Sequence, residues 1–482
     1  MMARKSALQL LLASATAALL AATAPAAATP PHNTPLTPAT ATEMPQRWTY
    51  VAPYDPADSV NASWWLEFND PVLDSLVTAG RDNNYDILAA LRRMDAARAQ
   101  VGMAKSSYFP QVNLSAGWTK ERTSGMTTPR DMGATTVDFF NIGASASWQI
   151  DVFGKITAGV RERKASWRAS KAEADGVLLS ITAQIVETYI NYRVAQAQLQ
   201  VALTHSASQD RIVKIADARH ETGLASALDP AQARTVYYST VATIPQLQTQ
   251  IHTYYNALAT LLGEYPENLP AGLAQTRPLP TCPAMPAAGI PADLLRRRPD
   301  ILEAEQNLAS AAAALGIAKK DFLPNLSINA TIGTQSHSFD NLFKNHSLTY
   351  SIAPTLSWTL FSGFNRKFAV AEAKMQMEAL IATYNSAVQT AFAETDNAIF
   401  AYNRELQVIA DLDNAVERAH KSYTLSLDLY KSGESNFTNV ADAMISYLTY
   451  TNSYIAAQGS AINALVTLYK ALGGDTPNYS AD

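Results

Sequence analysis

The stretch that decides the fold occurs twice in the chain, as YFPQVNLS at residues 108–115 and as FLPNLSIN at residues 322–329. A second landmark, a glycine that follows a long helix-forming run, also recurs, at Gly223 and at Gly433. Landmarks that recur in the same order at a nearly constant spacing indicate an internal repeat. We therefore predict two copies of one unit, each ordered as helix, two strands, long helix, turn and long helix.

Apolar and small polar residues alternate in the segments that follow these two stretches. In the first copy, Val112, Leu114 and Trp118 alternate with residues such as Asn113 and Ser115. Alternation with a period of two places all the apolar side chains on one face of a strand. The sequence predicts four strands in this way, at about 111–122, 139–153, 325–335 and 348–361.

The other face of these strands carries small neutral groups with few charges. Strand lengths lie near the ~9–11 residues that a tilted membrane strand needs. Both features favour a transmembrane β-barrel over the alternative, a water-soluble sandwich with one buried face. Four strands cannot close a barrel, because the smallest membrane barrels have about eight, and an open edge in lipid leaves backbone groups unpaired. Two, three or four copies of the chain would therefore have to share one barrel.

The second informative feature is a run of 69 residues between Gly363 and Gly433 that contains no glycine and no proline. It is rich in strong helix formers, and as one helix it would be about 100 Å long at 1.5 Å per residue. Matching long helices are predicted at residues 155–221, 230–262 and 440–472. Helices of this length must pack against neighbouring helices. The interleaved strand pairs argue against a cytoskeletal coiled coil.

The N-terminus has the pattern of a secretory signal peptide. Arg4 and Lys5 precede an apolar run, and Ala26 to Ala28 supply small residues for cleavage. A short membrane anchor is the alternative, but the run is shorter than the ~20 residues of a spanning helix. We predict a signal peptide at residues 1–28 and an extended Pro/Ala/Thr-rich leader at 29–58.

Composition and motifs argue against several classes of function. Lys and Arg number 37 and Asp and Glu number 42, so the net charge is −5, and nucleic acid is not expected as a partner. The single cysteine, Cys282, permits no intrachain disulfide and no cysteine metal cluster. No zinc-protease, dinucleotide, P-loop or nucleophile-elbow motif is present, so no enzyme activity, cofactor or metal is expected. A secreted helical scaffold remains as a rival reading.

Two motifs resemble one known family. WWLEFNDPVL at residues 64–73 and GIPADLLRRRPDI at residues 289–301 are similar to the opening and linker motifs of the TolC family of outer-membrane efflux proteins. The resemblance covers roughly residues 60–475 and is closest to the branch that serves resistance-nodulation-division pumps. It favours efflux over the alternative, a duct for type I protein secretion. Members of this branch often carry an N-terminal lipid on cysteine, but Thr23 follows Leu20-Ala21-Ala22 here, so lipidation is not expected.

This resemblance implies a mixed α and β membrane protein. The expected assembly is a homotrimer whose twelve-stranded β-barrel in the outer membrane of a Gram-negative bacterium continues into a long periplasmic α-helical barrel. Its expected partners are a periplasmic adaptor protein, an inner-membrane pump of the resistance-nodulation-division type and outer-membrane lipid. The predicted domains are a first repeat at 59–288 with a helical hairpin at 154–263, a second repeat at 289–475 with a helix at 291–321 and a hairpin at 364–473, and a tail at 476–482.

The turns of the two long hairpins are the candidate docking sites for the adaptor. Gly223-Leu224-Ala225-Ser226 resembles the docking turn of the first hairpin, and Gly433-Glu434-Ser435 is its counterpart. Glycine permits the left-handed backbone that a tight helix exit needs. The alternative is that these residues only make the turns.

Carboxylates beside these turns are candidates for a periplasmic gate. The family often has two carboxylates one helical turn apart after the second turn, and here Asn439 replaces the first while Asp442 keeps the second. Threefold symmetry would make Asp442 a ring of three charges that favours cations. Asp229 matches Asn439 in the first copy, where a capping or first-turn role is favoured over gating. Separately, the arginines at 296–298 are predicted to pair with carboxylates of neighbouring helices.

Overall fold

The computed structural model describes residues 37–40, 44–45, 47–49, 63–124, 126, 134–281, 285 and 291–474. The chain divides into two units, Met1–Pro38, of which only residues 37 and 38 are described, and Ala39–Asp482, which holds every element named below. The predicted signal peptide, most of the leader, Cys282 and the tail lie outside the described residues. Among the described helices, none combines the length and the hydropathy needed to span a bilayer.

From the helix that precedes each strand pair onward, the order of elements is the same in both copies. The four strands are β1 (Gln111–Arg122), β2 (Thr136–Ile150), β3 (Asn325–Ser336) and β4 (Leu348–Ser357). The helices are α1 (Pro71–Asn83), α2 (Tyr85–Ser106), α3 (Lys155–Glu221), α4 (Leu228–Leu261), α5 (Pro299–Lys320), α6 (Asn365–Ser432) and α7 (Phe437–Ala471). A 3-10 segment, Trp64–Phe68, precedes α1.

The strands form one antiparallel sheet in the order β1-β2-β3-β4. Its register aligns Leu114, Ala144, Ile332 and Tyr350 in one row across all four strands. The predicted alternation is therefore kept across the whole sheet. Leu114 is 81% and Tyr350 78% exposed, so nothing in the described chain covers the apolar face. The outer edges of β1 and β4 have no partner strand among the described residues.

Strand β4 ends earlier than the alternation predicts, at Ser357 instead of residue 361. The reason is its neighbour. Ser357 pairs with Asn325, the first residue of β3. Pro324 precedes it and has no N–H to continue the ladder. The alternation of Trp358 and Leu360 thus continues beyond the end of the sheet.

The sheet is fastened to the helices by equivalent tryptophans. Trp148 donates its indole N–H to the carbonyl of Tyr108 at 2.9 Å, and Trp358 donates to the carbonyl of Phe322 at 2.9 Å. Tyr108 and Phe322 open the two copies of the deciding stretch. Tryptophan suits a membrane–water boundary, because one end of its ring system is apolar and the other is polar.

Helices α3 and α4 form hairpin 1, and α6 and α7 form hairpin 2, with α3 packed against α7 between them. Two separate apolar cores hold them. The central core lies around the middle of α3 and α6, at the level where α4 and α7 end, and includes Trp64, Leu76, Val186, Tyr189, Leu465 and Tyr469. The tip cluster lies at the far end of the hairpins and consists of Ile212, Ala216, Ala233, Val236, Tyr430, Phe437, Val440, Ala441 and Met444.

Helices α4 and α7, which run back from the tip and are called the return helices, are each held at their last residue. Different residues at equivalent positions of the two repeats hold them. Asn84, just before α2, donates to the carbonyl of Leu261 at 2.8 Å. Arg298, just before α5, donates to the carbonyl of Ala471 at 3.1 Å. Arg298 also pairs with Glu394 of α6 at 2.7 Å, which confirms the predicted pairing of this arginine with a carboxylate of a neighbouring helix.

Three described leader residues of the second unit contact α6. The backbone N–H of Ala39 donates to Asn385 at 2.7 Å, and that of Thr49 donates to Asp396 at 2.8 Å. The Trp48 ring stacks on Phe392 with centroids 5.4 Å apart. The described tryptophan of the leader, Trp48, is buried in the central core.

Candidate gate and docking site at the hairpin tip

Each long helix ends in a left-handed glycine. Gly223 follows α3 with φ +72°, and Gly433 follows α6 with φ +83°. The next residue in each turn, Leu224 or Glu434, donates its N–H to a carbonyl of the last helical turn, at 2.8 and 2.9 Å. These bonds satisfy carbonyls that the helix end leaves without partners. The predicted backbone role of both glycines is thus present in the structure.

The two turns present different surfaces. In the first, Leu224 is 69% and Leu228 58% exposed, and Ser226 accepts a hydrogen bond from the N–H of Leu228 at 3.2 Å. In the second, Glu434 is exposed and Ser435 is half-buried. Turn 1 is therefore apolar at its surface and turn 2 is acidic. An apolar partner surface fits the first turn better than the second.

Tyr430, in the last turn of α6, joins the two hairpins. Its ring is 1% exposed and packs edge-on against Phe437, with centroids 5.3 Å apart. Its hydroxyl donates to the carboxylate of Asp229 in α4 at 3.1 Å. Burial and this hydrogen bond raise the pKa of Tyr430 to about 12. The hydroxyl therefore stays protonated, and able to donate, at physiological pH.

Arg219 of α3 makes a second link across the same boundary. Its guanidinium lies over the Tyr430 ring, 4.9 Å from the centroid, and donates to the carbonyl of Lys431 at 2.9 Å. A cation over an aromatic face is attracted by the ring quadrupole. The positive guanidinium is also attracted to this carbonyl because it lies at the C-terminus of α6, the negative end of the helix dipole. Arg219 and Asp229 of hairpin 1 thus hold Tyr430 of hairpin 2 from two sides.

Asp229 lies in the first turn of α4, where its charge suits the helix dipole. It does not cap the helix, because Ala227 is the N-cap residue. Of the capping or first-turn role favoured from the sequence, the structure has the first-turn position and not the cap. The Asp229 side chain turns to Tyr430 instead.

The two residues of the incomplete carboxylate pair are exposed on α7. Asn439 donates to the hydroxyl of Ser435 at 3.0 Å, which ties it to its own turn. Asp442 has no hydrogen-bond or ion-pair partner within the described part of the chain. Within one protomer, the structure therefore brings Asp229 to Tyr430 and leaves Asp442 free for a neighbour.

Sequence reasoning missed Tyr430 and Arg219. They precede the glycines by three and four residues, which is a spacing that many helix ends share. Their importance comes from partners about 200 residues away, since Tyr430 and Asp229 are 201 positions apart. No local pattern reports such a pair. Among the described residues, no group of three His, Cys, Asp or Glu side chains is placed to hold a metal ion.

A sheet with one bare apolar face and two helical hairpins that start from helices of 67 and 68 residues defines the protomer of an outer-membrane channel. The family model described as outer membrane efflux protein matches residues 76–264 and 290–474, and the chain belongs to this family. The two matched segments correspond to the two repeats. The resemblance inferred from the motifs, the fold class and the outer-membrane location are confirmed.

Individual proteins resemble the chain over most of its length. The pyoverdine export outer membrane protein OpmQ of Pseudomonas aeruginosa is 28% identical over 438 residues, which cover 89% of this chain and 91% of that protein. The toluene efflux pump outer membrane protein TtgF of Pseudomonas putida is 28% identical over 423 residues, covering 87% and 86%. The solved structure of the outer-membrane channel OprN has a TM-score of 0.83 at 27% identity, covering 93% and 98%.

Proposed function

We propose that the chain is the outer-membrane channel of a tripartite efflux system, which conducts drugs or other small molecules passively out of the cell. The observation that carries this proposal is the sheet, whose apolar face is uncovered and whose outer edges are unpaired. Such a sheet is stable in lipid only when further strands close it into a barrel. The names of the relatives, toluene efflux and pyoverdine export, support small molecules as the cargo.

The proposed assembly is a homotrimer. Each chain supplies four strands, so three copies supply twelve, enough for a closed barrel with an open interior. The row of Ser115, Gly143, Gly333 and Thr349 lies on the face opposite the apolar one and would line that interior. Small neutral side chains leave the passage wide and give it little preference among solutes. Selectivity then belongs to the pump that loads the channel.

The hairpin tips are the proposed gate and docking site. The closed tip is held within each protomer by the Tyr430 bond to Asp229 and by Arg219. A periplasmic adaptor would dock on the exposed leucines of turn 1, Leu224 and Leu228, and its binding would weaken the links to hairpin 2. An inner-membrane pump of the resistance-nodulation-division type would supply the energy.

The function is tested in a Gram-negative host that keeps a matching adaptor and pump but lacks its own outer-membrane channel. Expression of this chain is expected to restore export of a fluorescent dye. The matched variant Leu224→Asp should fail in cells, because it places a charge on the docking turn, yet conduct normally in planar bilayers. Failure of the unaltered chain to form any channel in bilayers would contradict the proposal.

A further inference from the structure

The two apolar cores of the hairpins are separated by a stretch with few large buried side chains. On α3 the central core ends at Tyr192 and the tip cluster begins at Ile212. On α7 the tip cluster ends at Met444 and the central core resumes at Ile462. We call residues 195–211 of α3, 403–429 of α6 and 445–461 of α7 the joint. Its buried side chains are Ala195, Gln196, Ala202, Gln209, Ala419, Ile455, Ala457 and Ala461.

Aromatic rings fill the joint where the hairpins meet. Tyr447 of α7 lies 5.0 Å from the ring of His205 in α3 and 5.0 Å from the ring of His420 in α6. Tyr423 of α6 stacks on it at 6.0 Å. His205 is the member of this cluster that belongs to hairpin 1, so the contact between His205 and Tyr447 crosses the boundary between the hairpins.

A second feature of the joint is a buried polar side chain that has no hydrogen-bond partner among the described residues. Gln209, one helical turn beyond His205, is 2% exposed, and neither its amide nitrogen nor its amide oxygen has a partner among the described residues. Buried polar groups without partners weaken the packing around them, because water would satisfy them if the helices moved apart. The joint thus combines few large buried apolar side chains with a buried amide that has no partner among the described residues.

Charged side chains are few on the helices packed around His205. Helix α7 has no Asp, Glu, Lys or Arg between Asp442 and Lys470, and α4 has none between Arg234 and Thr260. Helix α6 faces the cluster with His420 and Tyr423, and Arg211 of α3 itself acts on Tyr423. Asp210 of α3 pairs with Lys214 at 2.6 Å, and Glu417 of α6 is exposed. The rings that contact His205 are those of Tyr447 and, through it, His420 and Tyr423.

Burial lowers the pKa of His205 below its ordinary value of 6.5. The face of the Tyr447 ring attracts a cation, which works in the opposite direction. Burial is the cause of the net lowering of the pKa of His205. The neutral imidazole is therefore the form that fits the closed joint.

We propose that His205 makes the joint a proton-sensitive hinge, at which mild acid loosens hairpin 2 from hairpin 1 and favours opening of the tip. This inference rests on the proposed channel function. The periplasm exchanges small ions with the medium through the outer membrane, so the joint would respond to the acidity outside the cell.

The direction of the effect follows from linkage. In the closed joint the pKa of His205 is lowered, whereas in a loosened joint the hydrated imidazole returns toward 6.5. Above that value His205 is neutral in both states and the closed joint keeps its full stability. As the pH falls below it, protons bind the loosened state preferentially. Each pH unit then raises the ratio of loosened to closed joints by up to about tenfold, until the lowered pKa is passed.

The test uses the full-length channel in planar bilayers, with the pH on the side of the helical tips changed from about 7.5 to about 5.5. The unaltered protein is expected to show a several-fold rise in open probability. His205→Gln keeps a polar side chain of similar size that does not titrate, and it should stay closed at both pH values. His252→Gln, at an exposed site on α4, is the matched control and should respond like the unaltered protein. An equal response in His205→Gln would overturn the proposal.

Hydrogen exchange on the unaltered protein gives a second measurement that does not depend on a variant folding. After correction for intrinsic rates, acid is expected to reduce protection in the joint and leave the central core unchanged. Uniform protection at both pH values would contradict the hinge. Absence of any conductance at either pH would refute the channel function itself, whereas conductance without pH dependence would refute only the role of His205.

Discussion

The central ends of the two hairpins are held alike, and their tips are held differently. Asn84 and Arg298 occupy equivalent positions and each donates to the last carbonyl of a return helix, Leu261 or Ala471. At the tip, the equivalent of Tyr430 is His220, whose Nδ1 lies 3.1 Å from a carbonyl of its own turn.

This difference separates two kinds of contact. A contact made in both repeats holds the shared fold. A contact made only once, such as the bond between Tyr430 and Asp229, joins one hairpin to the other and can break while each hairpin stays intact. The unequal contacts are therefore the ones suited to a moving gate.

The largest expected effect comes from removing the Arg298 side chain, which holds the last residue of α7. Arg298→Met removes one of the two donors to the Ala471 carbonyl and leaves Glu394 without its partner, and it should lower the free energy of unfolding by about 3 kcal/mol. This value allows for solvent screening at Glu394, whose side chain is 53% exposed. Asn84→Ala should cost less, about 1–2 kcal/mol, because a neutral cap is lost. Urea unfolding followed by circular dichroism measures both.

An exposed arginine provides the control for this comparison. Arg92 pairs with Asp95 on the surface of α2, with side chains 73% and 52% exposed. Arg92→Met should change stability by less than about 0.5 kcal/mol. A larger loss for Asn84→Ala than for Arg298→Met would contradict the ranking of the two side chains.

The next effect concerns the glycines that end the return helices. A Cβ atom on Gly473, at φ +92°, would lie 2.8 Å from the backbone of Arg297, and one on Gly263 would lie 2.4 Å from that of Asn83. Alanine at either site should cost about 2 kcal/mol or more from strain and clash. At Gly223, where nothing lies within 4 Å, alanine should cost only the backbone strain of about 1 kcal/mol. Thermal unfolding distinguishes these values. Equal losses at all three sites would contradict the contribution of the close backbone contacts at Gly263 and Gly473.

A smaller effect is expected from the link at the tip. Tyr430→Phe keeps the buried ring and removes only the hydrogen bond to Asp229, so the closed tip should lose about 1 kcal/mol. This corresponds to about a fivefold rise in the ratio of open to closed channels. Single-channel recording measures it, and His220→Gln, at the equivalent site of hairpin 1, is the control. An equal rise of this ratio in both variants would contradict the difference between the tips of the two hairpins.

The smallest effect on stability is expected at Asp442, which is exposed and has no partner among the described residues of its own protomer. Asp442→Ala should change stability by less than about 0.5 kcal/mol. Its influence, if three copies form a ring, is on conductance, which should rise, and on cation preference, which should fall. Asn439→Asp should strengthen cation preference. An unchanged conductance and ion preference in Asp442→Ala would remove this residue from the gate.

Much of the fold follows from local patterns in the sequence. Helix α3 runs from Lys155 to Glu221, the span predicted from the scarcity of glycine and the absence of proline. Strand β1 likewise has the predicted span, Gln111–Arg122. The end of β4 could not be predicted, since Pro324 on a neighbouring strand determines it.

The site was predicted only in part, for the same reason. The left-handed glycines are local features, and both were found from their position after a long helix. The partner of Asp229 was missed because Tyr430 lies in the other repeat. Arg298 was recognised because three consecutive arginines in an acidic chain need carboxylates nearby.

The most direct test of the whole account is the native mass of the protein after detergent extraction from outer membranes. One chain brings too few strands to enclose a pore, so the account predicts a particle with three times the mass of the processed chain. A monomer that stays folded in water without detergent would contradict it.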